Sequence, residues 1–346
     1  MRRYVGLFAL TLLICVVASQ IHAQDKVERR DKKAGSLIVA GKILDENAGG
    51  VKMKLQVLGK EETIPSNEIL RVTYVDLPAA ASLAVGKLAQ AETDRNFPAL
   101  LKGYEAVQAL PEVKTTPIPV RRYIDYRVVS LRGFVAEGED QVKAAAKGLA
   151  DFIVAHPDSW EYPHAARQLA RLQADTGDYP NATKTYEALE KAPTVPAEFK
   201  QDATAALIDI AFQSDNLPVG KDRVDKVLAD AKAAPGLKER AAVYQLGLAA
   251  AEPGADLTAA VKKIEEAIGK AADPSLKALG YNVLGDVYFA KGQNRDAMWS
   301  YLWVDVVYNQ DRGEHLKAMT RLIRVFDKDA DKEKSQLYKE KLARSR

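Results

Sequence analysis

The chain has 346 residues, 47% of them hydrophobic but only 7% aromatic, with 50 Lys and Arg against 47 Asp and Glu. That balance gives no support to wholesale binding of nucleic acid, the more so because Arg2 and Arg3 supply two of the three net positive charges. The one cysteine, Cys15, sits in an apolar segment near the start, so the remainder can form no disulfide and offers no thiol nucleophile.

Met1–Ala23 has the form of a secretory signal: two arginines, an apolar run over Val5–Ala18, and small-residue cleavage options at Ile21-His22-Ala23 or Val16-Val17-Ala18. An uncleaved anchor is the alternative, but the run is short for a membrane span. Ile14 before Cys15 stands where a lipoprotein signal wants a small residue. The expectation is an exported protein of the periplasm or cell envelope, with no stable membrane span once residues 1–23 are removed.

Gln24–Gly35 is polar and charged, which predicts a solvated, mobile leader. The period then changes over residues 36–76. Val51, Met53, Leu55 and Val57 alternate with Lys52, Lys54 and Gln56, and further apolar runs are separated by Asn47-Ala48-Gly49-Gly50 and by Gly59-Lys60. Three or four antiparallel strands follow, as a small curled sheet or SH3-like barrel. Some forty residues rarely fold alone, so this β-module is expected to pack on the first helices.

From residue 77 to 346 the pattern is that of helical hairpins. The pairs are Ala79–Glu92 with Phe97–Leu110, Val120–Ala136 with Glu139–Ala155, Tyr162–Thr176 with Tyr179–Lys191, 197–214 with 218–233, 237–251 with 255–270, and a sixth over Ala278–Asn309. Gly313–Phe326 and Ala330–Arg344 close the array, the last polar and Lys-rich as a terminal cap should be. An internal match makes the repetition explicit: Phe97-Pro98-x-Leu100-x3-Tyr104-Glu105-Ala106-Val107 aligns with Tyr179-Pro180-x-Ala182-x3-Tyr186-Glu187-Ala188-Leu189.

The sixth pair carries Tyr281-x2-Leu284-Gly285-x2-Tyr288, then Gly292, then Ala297-x3-Tyr301. This resembles the tetratricopeptide repeat (TPR), with Tyr281 where that pattern has Trp and Asn309 where it has a late proline. His156–Leu172 is similar to TPR proteins of outer-membrane assembly and of the Tol–Pal system, and the β-module resembles one that precedes TPRs in some exported bacterial proteins. The resemblance implies a mainly α protein, a TPR-like antiparallel helix-hairpin solenoid of about six hairpins plus capping helices, preceded by the small antiparallel β-module. A lone hairpin exposes one apolar face and must stack on its neighbours; Gly285 is the expected point of close helix approach.

Catalytic chemistry has little to stand on. There is no G-x-S-x-G, HExxH or phosphate-cradling glycine loop, and Asp and Glu are scattered among lysines. His156, His164 and His315 fall in different hairpins, so no metal site, cofactor or enzymatic activity is expected. Arg121-Arg122-Tyr123-x2-Tyr126-Arg127 reads as core tyrosines with solvated arginines in preference to a base-stacking surface. Trp299 and Trp303 line one face of a helix and read as packing against the next hairpin, the rival being a partner-binding platform.

In TPR arrays the first helices of successive hairpins line a concave groove. Counting from the aligned positions puts Arg127, Ser130, His164, Arg167 and Arg171 on that lining, in loose similarity to the clamp by which some TPRs hold a peptide's terminal carboxylate. Forked guanidinium donors suit such an anion. The resemblance thus implies a non-enzymatic scaffold binding a protein or peptide partner. The alternatives are a polysaccharide or peptidoglycan recognition module, which exposed aromatics would favour, and an accessory subunit of an envelope enzyme.

Overall fold

The computed structural model describes residues 24–31, 33, 35–56 and 59–345; the expected signal segment and Val57 lie outside them. Strands β1 (Asp25–Asp31), β2 (Gly35–Asn47), β3 (Gly50–Leu55), β4 (Glu61–Pro65) and β5 (Ile69–Thr73) form one antiparallel sheet in the order β4-β3-β2-β1-β5. Only a 3₁₀ turn at Ser66–Glu68 separates β4 from β5. Long β2 serves both halves of the sheet and changes register between Ile43 and Asp45, the irregularity that bends a strand. The result is a curled sheet with SH3-like strand order.

Asp25–Asp31 is therefore no solvated leader. It is β1, an inner strand paired with β2 on one side and β5 on the other. Its charges are matched across the sheet: Glu28 with Arg71 at 2.8 Å, and Arg29 with Glu62 at 2.6 Å and Glu68 at 3.1 Å. The Asp25 carboxylate accepts from the backbone N–H of Ile43 and of Val75, and Val27 is fully buried. Polarity alone pointed to solvent; cross-strand pairing supplies what the apolar pattern lacked.

Fifteen helices follow. Short α1 (Ala79–Gly86) and α2 (Ala89–Thr93) precede α3 (Phe97–Gln108). The hairpins are then α4 (Ile118–Val135) with α5 (Glu139–Ala155), α6 (Tyr162–Asp175) with α7 (Tyr179–Lys191), α8 (Ala197–Gln213) with α9 (Leu217–Ala229), α10 (Pro235–Ala251) with α11 (Leu257–Lys270), and α12 (Pro274–Ala290) with α13 (Asn294–Val306). Helices α14 (Arg312–Lys328) and α15 (Lys332–Ser345) complete the chain. The α8–α9 turn lacks the glycine of its counterparts, and Asp215 takes the left-handed conformation there at φ 56°, as a short polar side chain can.

The β-module shares one core with the first helices. Val27, Val51, Met53, Ile64, Ile69 and Val72 pack continuously with Leu100, Tyr104, Val120, Ile124 and Trp160. At the other end the array curls tightly. Arg321 on α14 donates to the Phe212 carbonyl of α8 at 3.4 Å, and Arg324 pairs with Asp215 at 3.3 Å, across 109 residues of sequence. Helix α14 thus lies against the C-terminal end of α8 as well as against α12 and α13.

A candidate partner-binding basin

The five positions counted onto the groove do not converge. Arg127 turns back toward the first hairpin, donating to Glu92 at 2.5 Å with its guanidinium 4.7 Å from the centre of the Tyr104 ring. Ser130 is buried, donating to the Gln168 side chain, whose amide donates back to the Ser130 carbonyl. These contacts lock α4 to α6. Arg167 is 44% exposed but bridges α6 to α8, pairing with Asp202 at 2.9 Å and lying over the Phe199 ring. The helix period put these residues on α4 and α6, but each side chain's reach selected its partner. Arg171 alone of the five is exposed with no ion pair among the described residues.

His164 has a different task. Its Nε2 lies 2.8 Å from the carbonyl oxygen of Ser66 in the β-module, where burial pushes the imidazole down to about 4, aided by nearby Arg167 and Arg30. The donor must be the neutral ring's N–H. Beside it the β2–β3 turn inserts Ala48 among Ala166, Val195 and Phe199. A Cβ on Gly49 would stand 2.9 Å from the Thr194 carbonyl, so this turn needs the missing side chain to seat.

Arg122 completes the junction. Its Nε donates to both carboxylate oxygens of Glu161, at 3.2 and 2.9 Å, and its Nη2 donates to Glu46 on β2. One guanidinium serves two carboxylates. Burial raises Glu161 to about 7, with Glu46 adding to the rise and Arg122 opposing it. Arg122 and Arg127 are thus largely buried, 10% and 14% exposed, and each is paired with glutamate, where solvated arginines were expected; Arg121 is exposed and Tyr123 is core, both as expected. The β-module consequently covers the edge of the array where α4, α6 and α8 begin.

Further along those helices the concave side stays open as a basin of about 400 Å³. Arg171 and Asp175 of α6, Asp209 and Gln213 of α8, and Arg312 and Lys317 of α14 contribute its polar lining. Arg312, 43% exposed, pairs with Asp175 at 3.0 Å. Two solvent-reachable guanidiniums, from helices remote in sequence, therefore share one depression with Tyr179 and Tyr186 in its wall.

Beneath the basin lies a charge network that sequence reasoning did not anticipate. Arg240 of α10 donates to Asp209 at 2.6 Å and also to Glu314 of α14. Glu314 accepts from Asn282 at 2.8 Å, and Tyr244 donates to Asp209 at 2.6 Å while accepting from Lys317 at 3.1 Å. Burial, the largest influence on both acids, raises Asp209, whereas Lys317 and Arg240 together overcome it at Glu314 and hold that carboxyl low. The available signal was the Glu314-x2-Lys317-x3-Arg321 spacing, which lays three charges on the side of the helix that also carries Ala318, Leu322 and Val325.

Trp299 and Trp303 are not packed into the next hairpin: they are 55% and 47% exposed. Helix α13 buries Ala297, Tyr301 and Val304, and its tryptophans stand on the opposite side. They belong to an open recess between α11, α12 and α13 rather than to the basin.

No family model matches the sequence, and no curated protein matches it. Among solved structures, the chain is similar to a tetratricopeptide repeat protein from Parabacteroides merdae ATCC 43184, at 13% identity and a TM-score of 0.49, over 78% of this chain and 99% of that one. Its fold is a TPR-like helix-hairpin array. That assignment rests on this chain's own paired helices, glycine turns and stacked hairpin cores. Among the described residues no helix is long and apolar enough to cross a membrane.

Proposed function

We propose that the chain is a non-enzymatic interaction scaffold of the bacterial cell envelope, exported with loss of residues 1–23, that takes the acidic end of a partner peptide in the concave basin. The observation that carries this reading is the placement of Arg171, exposed and without an ion pair among the described residues, in the same basin lining as Arg312. A carboxylate entering there gains Arg171 outright and competes with Asp175 for Arg312. The β-module occupies the edge where α4, α6 and α8 begin, so a partner is steered to the basin and away from Arg127, Ser130 and His164.

The test is a titration of wild type and of Arg171→Ala plus Arg312→Ala with acidic peptides recovered by crosslinking in intact envelopes, each made with a free and an amidated C-terminus. Loss of binding with an unchanged melt is expected, on the order of 2–5 kcal/mol if the charges are desolvated and less at a wet rim. Affinity should also fall with salt. Equal affinity of wild type and the folded double variant would remove the basin from consideration. Adding Arg167→Ala should change little, because that guanidinium already serves Asp202.

A further inference from the structure

The recess on α11–α13 combines aromatic rings with carboxylates. Four rings line it, those of Tyr281, Tyr288, Trp299 and Trp303, around a space of about 280 Å³. Tyr281 stacks on Trp303 at 5.7 Å between ring centres and 16° between planes, and on Tyr308 at 5.5 Å and 20°. These contacts hold Tyr281 and Trp303 in place on one wall of the recess. The other lining groups include two carboxylates, Glu265 from α11 and Asp296 from the first turn of α13. Both are exposed, and neither has an ion-pair partner among the described residues.

This combination selects for charge. Aromatic faces carry negative quadrupole potential, and an ammonium group held over them is attracted by it, more strongly where water is partly excluded. Two unpaired carboxylates add to the same sign. The tyrosine hydroxyls are held above their ordinary range, by burial first, then by Tyr308 and Glu265 at Tyr281 and by Glu265 and Asp296 at Tyr288. No lysine or arginine is among the lining residues, and Lys277 lies out over Tyr308, 5.9 Å from its ring centre. A neutral sugar would stack on the same rings, but it would gain nothing from the ring quadrupoles and carboxylate charge that favour a cation.

We propose that this recess binds an organic ammonium group through its aromatic faces, with Glu265 and Asp296 supplying the counter-charge. The shared chemistry fits a small quaternary amine or a lysine side chain of a basic partner. It does not depend on what binds in the basin.

The full chain labelled with 5-fluorotryptophan gives one ¹⁹F resonance for each of its three tryptophans, of which Trp160 is buried far from the recess and serves as reference. Titration with choline, and separately with N-acetyl-lysine methylamide, should shift the Trp299 and Trp303 signals saturably and leave Trp160 unmoved. Saturation by choline alone assigns the site to small quaternary amines, and by the lysine amide to a basic partner. The uncharged isostere 3,3-dimethylbutan-1-ol should produce no saturable shift. Loss of one ring in Trp299→Ala should weaken binding roughly fivefold. Glu265→Gln plus Asp296→Asn, which removes no packing, should weaken it and flatten its salt dependence. Equal shifts from the neutral isostere, saturation by an uncharged oligosaccharide instead, or no saturation by either cation would overturn the proposal.

Discussion

Gly285 decides whether the sixth hairpin is packed as the helices suggest, and a single methyl group tests it. A Cβ at this position would lie 2.4 Å from Cε1, 2.7 Å from Cζ and 2.8 Å from Cδ1 of Tyr301. Carbon atoms settle at about 3.5–4.0 Å, so the ring or the helix must give by roughly 1 Å. Tyr301 cannot swing aside freely: it is fully buried, and its hydroxyl donates to Asp286 at 2.8 Å. Overpacking of this kind costs roughly 1–3 kcal/mol. Helix propensity works the other way, since replacing a mid-helix glycine by alanine gains about 1 kcal/mol. Gly269, in the last turn of α11, provides an uncrowded reference, because a Cβ there meets nothing within 4 Å and only the propensity gain remains, smaller near a helix end. Gly269→Ala should therefore stabilise, and Gly285→Ala should be neutral to destabilising, leaving a gap of roughly 1–3 kcal/mol between the two in urea melts. Gly285→Leu should lie lower still. Tyr301→Leu should partly rescue Gly285→Ala, a coupling that distant sites do not show. If Gly285→Ala gained as much as Gly269→Ala, α12 and α13 could not be in the contact described.

Three further outcomes follow from the buried charges and the module junction. Arg240→Ala strands Asp209 and Glu314 and should cost roughly 3–5 kcal/mol at neutral pH, a deficit that shrinks on acidification as the stranded carboxylates take up protons. Glu161, raised to about 7, keeps a proton in the folded chain that the unfolded chain has lost above its ordinary 4.5, so stability falls as pH rises through that window. His164, lowered to about 4 from 6.5, contributes the opposite slope, stability being lost as pH falls. Between pH 4.5 and 6.5 these two cancel; Glu161→Gln should leave a stability that climbs with pH and His164→Gln one that declines, each by up to about 3 kcal/mol across its window in denaturant melts. Parallel pH profiles for both variants and wild type would contradict the assignment. Gly49→Val should unseat the β2–β3 turn from Thr194, seen as faster hydrogen exchange confined to residues 46–50 and 192–199, with α12–α15 unaffected.

What the sequence by itself determined was the repetition. Helix pairs from α4 onward were legible because each needs one apolar stripe at a 3.6-residue period and a break where Gly177, Gly254 or Gly292 turns the chain, and both are local properties. The strands of Val51 and Met53 were legible for the same reason at period two. Strand β1 was not, because its residues are largely charged and the groups that match them, Arg71, Glu62 and Glu68, lie more than thirty residues away. The candidate site divides along the same line. Helical phase placed Arg171 on a groove-facing helix, but only tertiary structure spent Arg127 on Glu92, covered His164 with Ser66 and brought Arg312 across the curl to the same basin. It also left Trp299 and Trp303 in the open, since which side of α13 faces the core depends on what packs against it. A long charged side chain reaches whichever counter-charge the superhelix brings near. That distance is a property of the whole curl and of no single repeat.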